Sequence, residues 1–267
     1  MSSEHPTIAD IQTAELVYYD PDYVAQCYQF CQDRDIDCLP EIGDSNTYYQ
    51  RIDEEKSFKE QTISEDRKLD GATFLFRPDL LDRFKSHAVQ FVYADGEISG
   101  VVHYSDYNKD VVSTYLYGQI ARYERDLREL AALCGLTNKD MLDHFQKMGT
   151  KACKKGNERF CKEFEAKKAK YEAEKEELTR LPEFQSFYLM DLIGLANRRK
   201  IIRLDDRVHK LRNQIMHGSL PVQMEDAHTP DYIYRIESFT EFFKFTQILL
   251  KDSKRISNRL AIKHELT

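Results

Sequence analysis

The sequence predicts an α+β protein, with an N-terminal α/β part over residues 1–109 and an all-α part over residues 110–267. Three observations predict this. In the first part, short runs rich in Val, Ile, Tyr and Phe alternate with turn residues and brief helical stretches. From Asp110 onward, apolar residues recur at helical spacing instead. Charge divides at the same place. Residues 1–110 hold 23 acidic and 10 basic side chains, a net of −13, and residues 111–267 hold 23 acidic and 29 basic, a net of +6. The −7 of the whole chain therefore hides a basic C-terminal half, the kind of bias expected where a polyanion docks.

Taken in order, Glu15–Tyr19 reads as a short strand, and Asp20-Pro21 supplies an N-cap followed by proline at the first helical position. Val24, Cys27, Tyr28 and Cys31 follow at helical spacing. Ile36–Ile42 alternates apolar and polar residues, Gly43-Asp44-Ser45-Asn46 turns, and Thr47–Ile52 is the returning strand. The charged stretch Asp53–Asp70 is expected to be loop or short helix. A similar order then recurs: strand Ala72–Phe76, a helix opened by Pro78-Asp79, strand Val89–Tyr93, the hairpin turn Asp95-Gly96 and strand Ile98–Tyr104. Strand, helix, strand, turn, strand, used twice, is an internal repeat of about 55 to 60 residues.

That repeat resembles a pair of CBS motifs, small modules that pack in tandem and commonly bind adenine nucleotides between them. Gly96-Glu97-Ile98-Ser99-Gly100-Val101-Val102-His103-Tyr104-Ser105-Asp106 is similar to the family's Gly-Ile-Val-Thr-x-x-Asp ending, with His103 where a hydroxyl residue is usual. The resemblance implies a nucleotide-binding role for Asp106, whose carboxylate would accept from both ribose hydroxyls. It also implies an adenine nucleotide as the effector of a sensor module. The first copy lacks the closing aspartate.

In the second part, Val112, Tyr115, Leu116, Ile120, Tyr123, Leu127, Leu130 and Leu133 mark one helical stripe that stops at Cys134-Gly135. Thr137-Asn138 starts a second helix, with Met141, Leu142, Phe145 and Met148 inward. Glu158–Leu178 is a Lys/Glu-rich helix with opposite charges at i, i+4. Lys151, Lys154, Lys155, Lys162, Lys167 and Lys168 are available to line a path for RNA. Leu181-Pro182 breaks the chain, and Phe184–Asn197 is a strongly apolar core helix with a basic end. Leu204–His217 is the next helix, Pro221–Asp231 a polar loop, and Tyr232–Leu250 the last helix, ahead of a basic tail with Lys254, Arg255, Arg259 and Lys263.

The stretch Leu211-Arg212-Asn213-Gln214-Ile215-Met216-His217-Gly218 carries the chemistry. Asn213 and His217 are i and i+4 and share a helix face, and the long stem of Arg212 reaches round to the same space. Gly218 suits the left-handed residue after a helix end, and Pro221 forbids resumption. An imidazole gives and takes protons near neutrality, an arginine clamps phosphate with a planar fork, and the amide fixes the ring. Together they suit transesterification of RNA without a metal ion, the histidine handling the 2′-hydroxyl or 5′-oxygen proton and the arginine the phosphorane charge. Arg207 and His209 add supporting positive charge beside the motif.

Arg212-Asn213-x-x-x-His217 resembles the R-x(4–6)-H signature of the HEPN superfamily, and the resemblance covers residues from about Asp110 onward. It implies an all-helical, metal-independent endoribonuclease whose active site draws on two chains of a homodimer. It also implies a polar residue on the first helix near the motif, for which Glu124 is the candidate. The competing expectations are a helical module that binds nucleic acid or protein without catalysis, and a nucleotide-sensing regulator that dimerises through its helices.

Composition limits the setting. No apolar run approaches the length of a membrane span, and Met1–His5 lacks a basic region followed by an apolar one. Six cysteines are scattered without zinc spacing, and reduced thiols in a cytoplasmic protein are expected.

Overall fold

Asp20 accepts the Asp22 N–H at 2.9 Å and Pro21 leads a 3-10 turn, Pro21–Tyr23, from which helix α1 (Val24–Asp33) continues. The helix thus starts where Asp-Pro predicts. The computed structural model describes residues 5–34, 36–174, 176, 182–219, 221–222 and 234–265. The chain is α+β and divides into two compact units, Met1–Leu116 with His217–Lys244, and Tyr117–Met216 with Phe245–Thr267. Residues 217–244 therefore belong with the sheet-bearing unit.

In that unit, β1 (Cys38–Glu41), β2 (Asp44–Ile52) and β3 (Ser57–Thr62) form an antiparallel sheet with Leu39 opposite Tyr49 and Tyr49 opposite Glu60. β3 falls inside the stretch expected to be loop or helix. Its Lys59 and Glu60 are both exposed, so no apolar alternation marks it. The first turn is also shorter than expected, because β2 already starts at Asp44 after Gly43, whose φ is +78°. Cys27, Cys31 and Leu39 are the core between α1 and this sheet, with Tyr19, Phe30, Ile36 and Phe58 packed on it.

The second sheet is built from β4 (Lys68–Asp70), β5 (Val89–Ala94) and β6 (Glu97–His103), with helix α2 (Leu80–Ser86) as the crossover. β4 runs parallel to β5, and β5 antiparallel to β6 with Phe91 opposite Val101. The β5–β6 hairpin closes through Asp95 and Gly96, at φ 54° and 86°, the left-handed pair such a tight turn requires. The expected strand Ala72–Phe76 is a succession of tight turns, and β4 takes its place. Glu15–Tyr19 is likewise not a strand; instead Thr13 exchanges backbone hydrogen bonds with Val101 at 2.8 and 3.1 Å. Gly100 permits that approach, since a Cβ there would lie 2.8 Å from the Thr13 carbonyl oxygen. The second sheet thus keeps the order strand, helix, strand, turn, strand. The first puts α1 ahead of three antiparallel strands with none before it, so the expected repeat is not kept. Tyr48, Ile63 and Phe91 join the two sheets in one cluster. An aromatic core of Phe76, Phe84, Tyr107, Phe239, Phe242 and Phe243 completes the unit.

Helix α3 (Asp110–Leu133) begins at the predicted change of periodicity, and Ile120, Tyr123, Leu127 and Leu130 of its stripe are all at most 1% exposed. In the helical unit it is joined by α4 (Asn138–Lys154), α5 (Glu158–Ala173), α6 (Leu189–Arg198), α7 (Val208–Met216) and the distal part of α8 (Ile236–Glu265). The Thr137–Asp140 capping box starts α4, as Thr137-Asn138 suggests. Three expectations shift. α6 starts at Leu189, because Phe184 sits at φ 67° in a run of turns, and Met190 is exposed rather than inward. α7 starts at Val208, because Asp205 and Asp206 turn the chain first. The expected basic tail is the second half of α8, where Ile256 and Leu260 keep a buried stripe running between the charges. The loop after Val222, the start of the last helix at Tyr232, the end of the Lys/Glu-rich segment at Leu178 and Leu181 lie outside the described residues.

The expectation of reduced thiols fails at one pair. Cys153 and Cys161, eight residues apart, face each other across the α4–α5 turn with Cα atoms 5.2 Å apart and are joined in a disulfide. Closing so short a loop stabilises by about 2–3 kcal/mol, chiefly through the unfolded chain. Dithiothreitol is therefore expected to lower the melting temperature of the wild type to that of Cys153→Ser/Cys161→Ser and to leave the double variant unmoved. Identical melting of all four samples would remove the disulfide from the account of stability.

Candidate active site

Leu211 is buried and faces the core of the helical unit, which leaves Arg212 half-buried and Asn213 exposed on the following turn of α7. Arg212 turns toward α3. Its Nε lies 3.7 Å from Glu124 Oε1, within ion-pair range and beyond a hydrogen bond. Arg128, one turn along α3, holds the other carboxylate oxygen at 3.3 Å. Glu124 Oε1 is buried and makes no hydrogen bond among the described residues. Arg212 Nη1 donates a long 3.4 Å hydrogen bond to Asn213 Oδ1, so the amide expected to orient the imidazole is engaged by the arginine.

The helix ends at Met216, and His217 is exposed in the turn that Gly218 closes at φ 65°, the left-handed residue the sequence calls for. The division between the two units falls between Met216 and His217. Glu124, a second-rank candidate on sequence, is thus the residue the structure brings to Arg212. Arg128 was missed, although its i, i+4 spacing from Glu124 was a readable signal.

The other expected residues have local occupations. Arg207 grips Asp205 with two nitrogens, Nη2 to Oδ2 at 2.6 Å and Nε to Oδ1 at 2.9 Å, and its hydrogen bonds hold the Asp205 carboxyl down to about 2. Asp252, almost fully buried, accepts the Asp205 N–H and the Arg255 guanidinium, each at 2.9 Å. These groups, with Arg203, Asp206 and Lys251, line a polar cavity of about 620 Å³. His209 does not reach a site; its Nδ1 is hydrogen-bonded to the Asp206 carbonyl and tightens the first turn of α7. Asp106 has both oxygens committed, Oδ2 to the His103 N–H at 2.7 Å and Oδ1 to Lys109 Nζ at 3.0 Å. It closes its own turn. A cavity of about 710 Å³ in the sheet unit lies at the ends of β4 and β5 beside Asp70, Gly71, Tyr93 and Gly96, and Asp106 does not line it.

A second polar group lies in the core of the helical unit, and it draws Lys167, expected to be available to RNA, into a pairing with buried Asp191. Lys167 Nζ donates to Asp191 Oδ1 at 2.8 Å and lies over the rings of Phe145 and Phe164 at 5.5 and 5.7 Å. His144, also buried, packs its Nε2 against Gly194. No cluster of three or more His, Cys, Asp or Glu with metal-ligand geometry occurs among the described residues, and no helix among them is long and apolar enough to cross a membrane. Comparison with known proteins finds no matching family model, no matching curated protein and no matching solved structure.

Proposed function

We propose that the chain is an endoribonuclease of HEPN type that cleaves RNA by attack of the substrate's own 2′-hydroxyl, with Arg212 and His217 as its catalytic residues. One observation carries most of the weight. Arg212 is aimed by a carboxylate from another helix, Glu124 on α3, yet at 3.7 Å that contact is no hydrogen bond, and apart from the long 3.4 Å contact of Nη1 with Asn213 Oδ1 its N–H donors make none among the described residues. A guanidinium oriented by one neighbour and still able to donate is what recognition of a phosphodiester needs. The basic balance of the C-terminal half, and an imidazole exposed at the motif's end, support the same reading.

In the proposed reaction a neutral His217 imidazole takes the 2′-hydroxyl proton. The 2′-oxygen bonds to phosphorus, the P–O5′ bond breaks, and the 5′-oxygen leaves with a proton supplied by the His217 of a second copy in a homodimer. Arg212 meets the charge that develops on the non-bridging oxygens. The products are a 2′,3′-cyclic phosphate and a 5′-hydroxyl. The sheet-bearing unit would act as the sensor, with an adenine nucleotide as its effector, on the strength of the second CBS-like copy alone, since the first copy is not kept and Asp106 is committed to its own turn.

The test is end-group analysis. Single-stranded RNA incubated with the protein in EDTA is expected to give cyclic-phosphate and 5′-hydroxyl ends, and RNA with 2′-O-methyl at every sugar to resist. Cleavage of the methylated strand, or 5′-phosphate products, would rule out 2′-hydroxyl attack.

A further inference from the structure

Between Lys147 and Lys162 the chain carries six cations, Lys147, Lys151, Lys154, Lys155, Arg159 and Lys162, against one acid, Glu158. All six are exposed, and none forms an ion pair among the described residues. The rest of α5 behaves differently. Lys167 is held by Asp191 and Glu163, and Lys168 lies 3.7 Å from Glu172. On α5, Lys167 and Lys168 are thus paired with acids, while Arg159 and Lys162 beside the turn are left bare.

Helix stability does not explain the bare set. Lys151 and Lys154 at the end of α4 do favour its dipole, but Arg159 stands in the first turn of α5, where a positive charge is unfavourable. The positions have a common geometry. Lys147, Lys151 and Lys154 are spaced i, i+4, i+7 and form one stripe on α4. Lys155 is in the turn, and Arg159 and Lys162 are i, i+3 on α5. The Cys153–Cys161 disulfide fastens the two flanks of this turn together, so the charges are presented from a braced support. Beside them Phe160 is 47% exposed, a large ring left in water among cations.

From this arrangement we infer that the α4–α5 turn is a docking surface for single-stranded nucleic acid, the lysines and Arg159 meeting successive phosphates and Phe160 stacking on an unpaired base. Stacking separates this partner from other polyanions: an anionic lipid surface or an acidic peptide uses the charges and has no base to lay on the ring. Binding here requires no cleavage, so the inference stands apart from the nuclease reading.

Full-length protein is titrated with a labelled 16-nucleotide 2′-O-methyl oligouridine, which offers no 2′-hydroxyl for attack, at several salt concentrations. Replacing Lys154, Lys155, Arg159 and Lys162 together with Gln is expected to weaken binding more than about tenfold and to flatten the salt dependence by about 3, at roughly 0.7 per cation for a single strand. Phe160→Ala should weaken it about fivefold or more without changing the slope. Both variants alter only exposed side chains and should melt with the parent, which circular dichroism checks. A quadruple variant that binds with the parent's affinity and slope overturns the inference. So does a duplex bound as tightly as the single strand, or equal binding to phosphatidylserine vesicles with Phe160→Ala silent.

Discussion

His217→Ala is expected to lower RNA cleavage by about 10²–10⁴-fold, the range for loss of a positioned acid–base group. Arg212→Ala should lower it by about 10²–10³-fold, as for loss of a donor aimed at developing charge. The two differ in how they fail. Without the imidazole, substrate binding should persist and the chemical step be lost. Without the guanidinium, both should suffer, since in the proposed reaction the fork would contact phosphate before as well as during the reaction. Arg212→Lys restores charge and not the planar fork, so it should recover binding more than turnover. Glu124 gives the most discriminating measurement. Its carboxylate aims Arg212 and also offsets its charge, at 3.7 Å. Glu124→Gln should therefore let the arginine wander, lowering kcat by up to about a hundredfold, while KM falls because an uncompensated cation meets the substrate. A purely structural Glu124 would instead lower kcat and the melting temperature together. Cleavage that survives in His217→Ala at the wild-type rate defeats the nuclease assignment outright.

What was legible in the sequence is what local chemistry decides. The Asp20-Pro21 start, the Asp95-Gly96 hairpin, the stripe from Ile120 to Leu130 and the Gly218 stop each follow from spacing or backbone preference within a few residues, and each is present. Where the reading failed, partners distant in the chain decided. The apolar run Ala72–Phe76 looked like a strand, but the ladder with β5 is made by Lys68–Asp70. Ser57–Thr62 is a polar edge strand whose only signal is its pairing with β2. The site shows the same limit. The motif positions could be read directly, but the approach of Glu124 to Arg212 joins helices far apart in sequence. The commitment of Asp106 to its own turn depends on where Lys109 points. The Lys167–Asp191 pair left no trace because it joins residues 24 apart in the chain and Lys167 sits in a run of charges that reads as solvated.

That pair should dominate stability. The Asp191 side chain is 4% exposed and that of Lys167 21%, and the lysine has a second acid, Glu163, at 3.6 Å while Asp191 has no other cation paired with it among the described residues. Removing the lysine strands a buried carboxylate, so Lys167→Met is expected to cost about 3–5 kcal/mol. Asp191→Leu should cost less, because Glu163 and the two rings still serve the ammonium. The double variant should return close to the wild type, since an apolar pair of similar volume needs no desolvation. Additive losses in urea unfolding would show that the two do not act as a pair. His144 ties the same core to pH. Burial, then the cations Arg198, Arg199 and Lys167, push its imidazole from the ordinary 6.5 down to about 4. The folded protein therefore stays unprotonated there while the unfolded chain takes up a proton. Stability is complete above pH 6.5 and is lost as pH falls toward 4, by about 3 kcal/mol in all. His144→Gln should flatten that slope. Lys167→Met, by removing one of the cations that hold the imidazole neutral, should shift the loss to lower amplitude. A slope that neither substitution changes would place the acid sensitivity elsewhere in the chain.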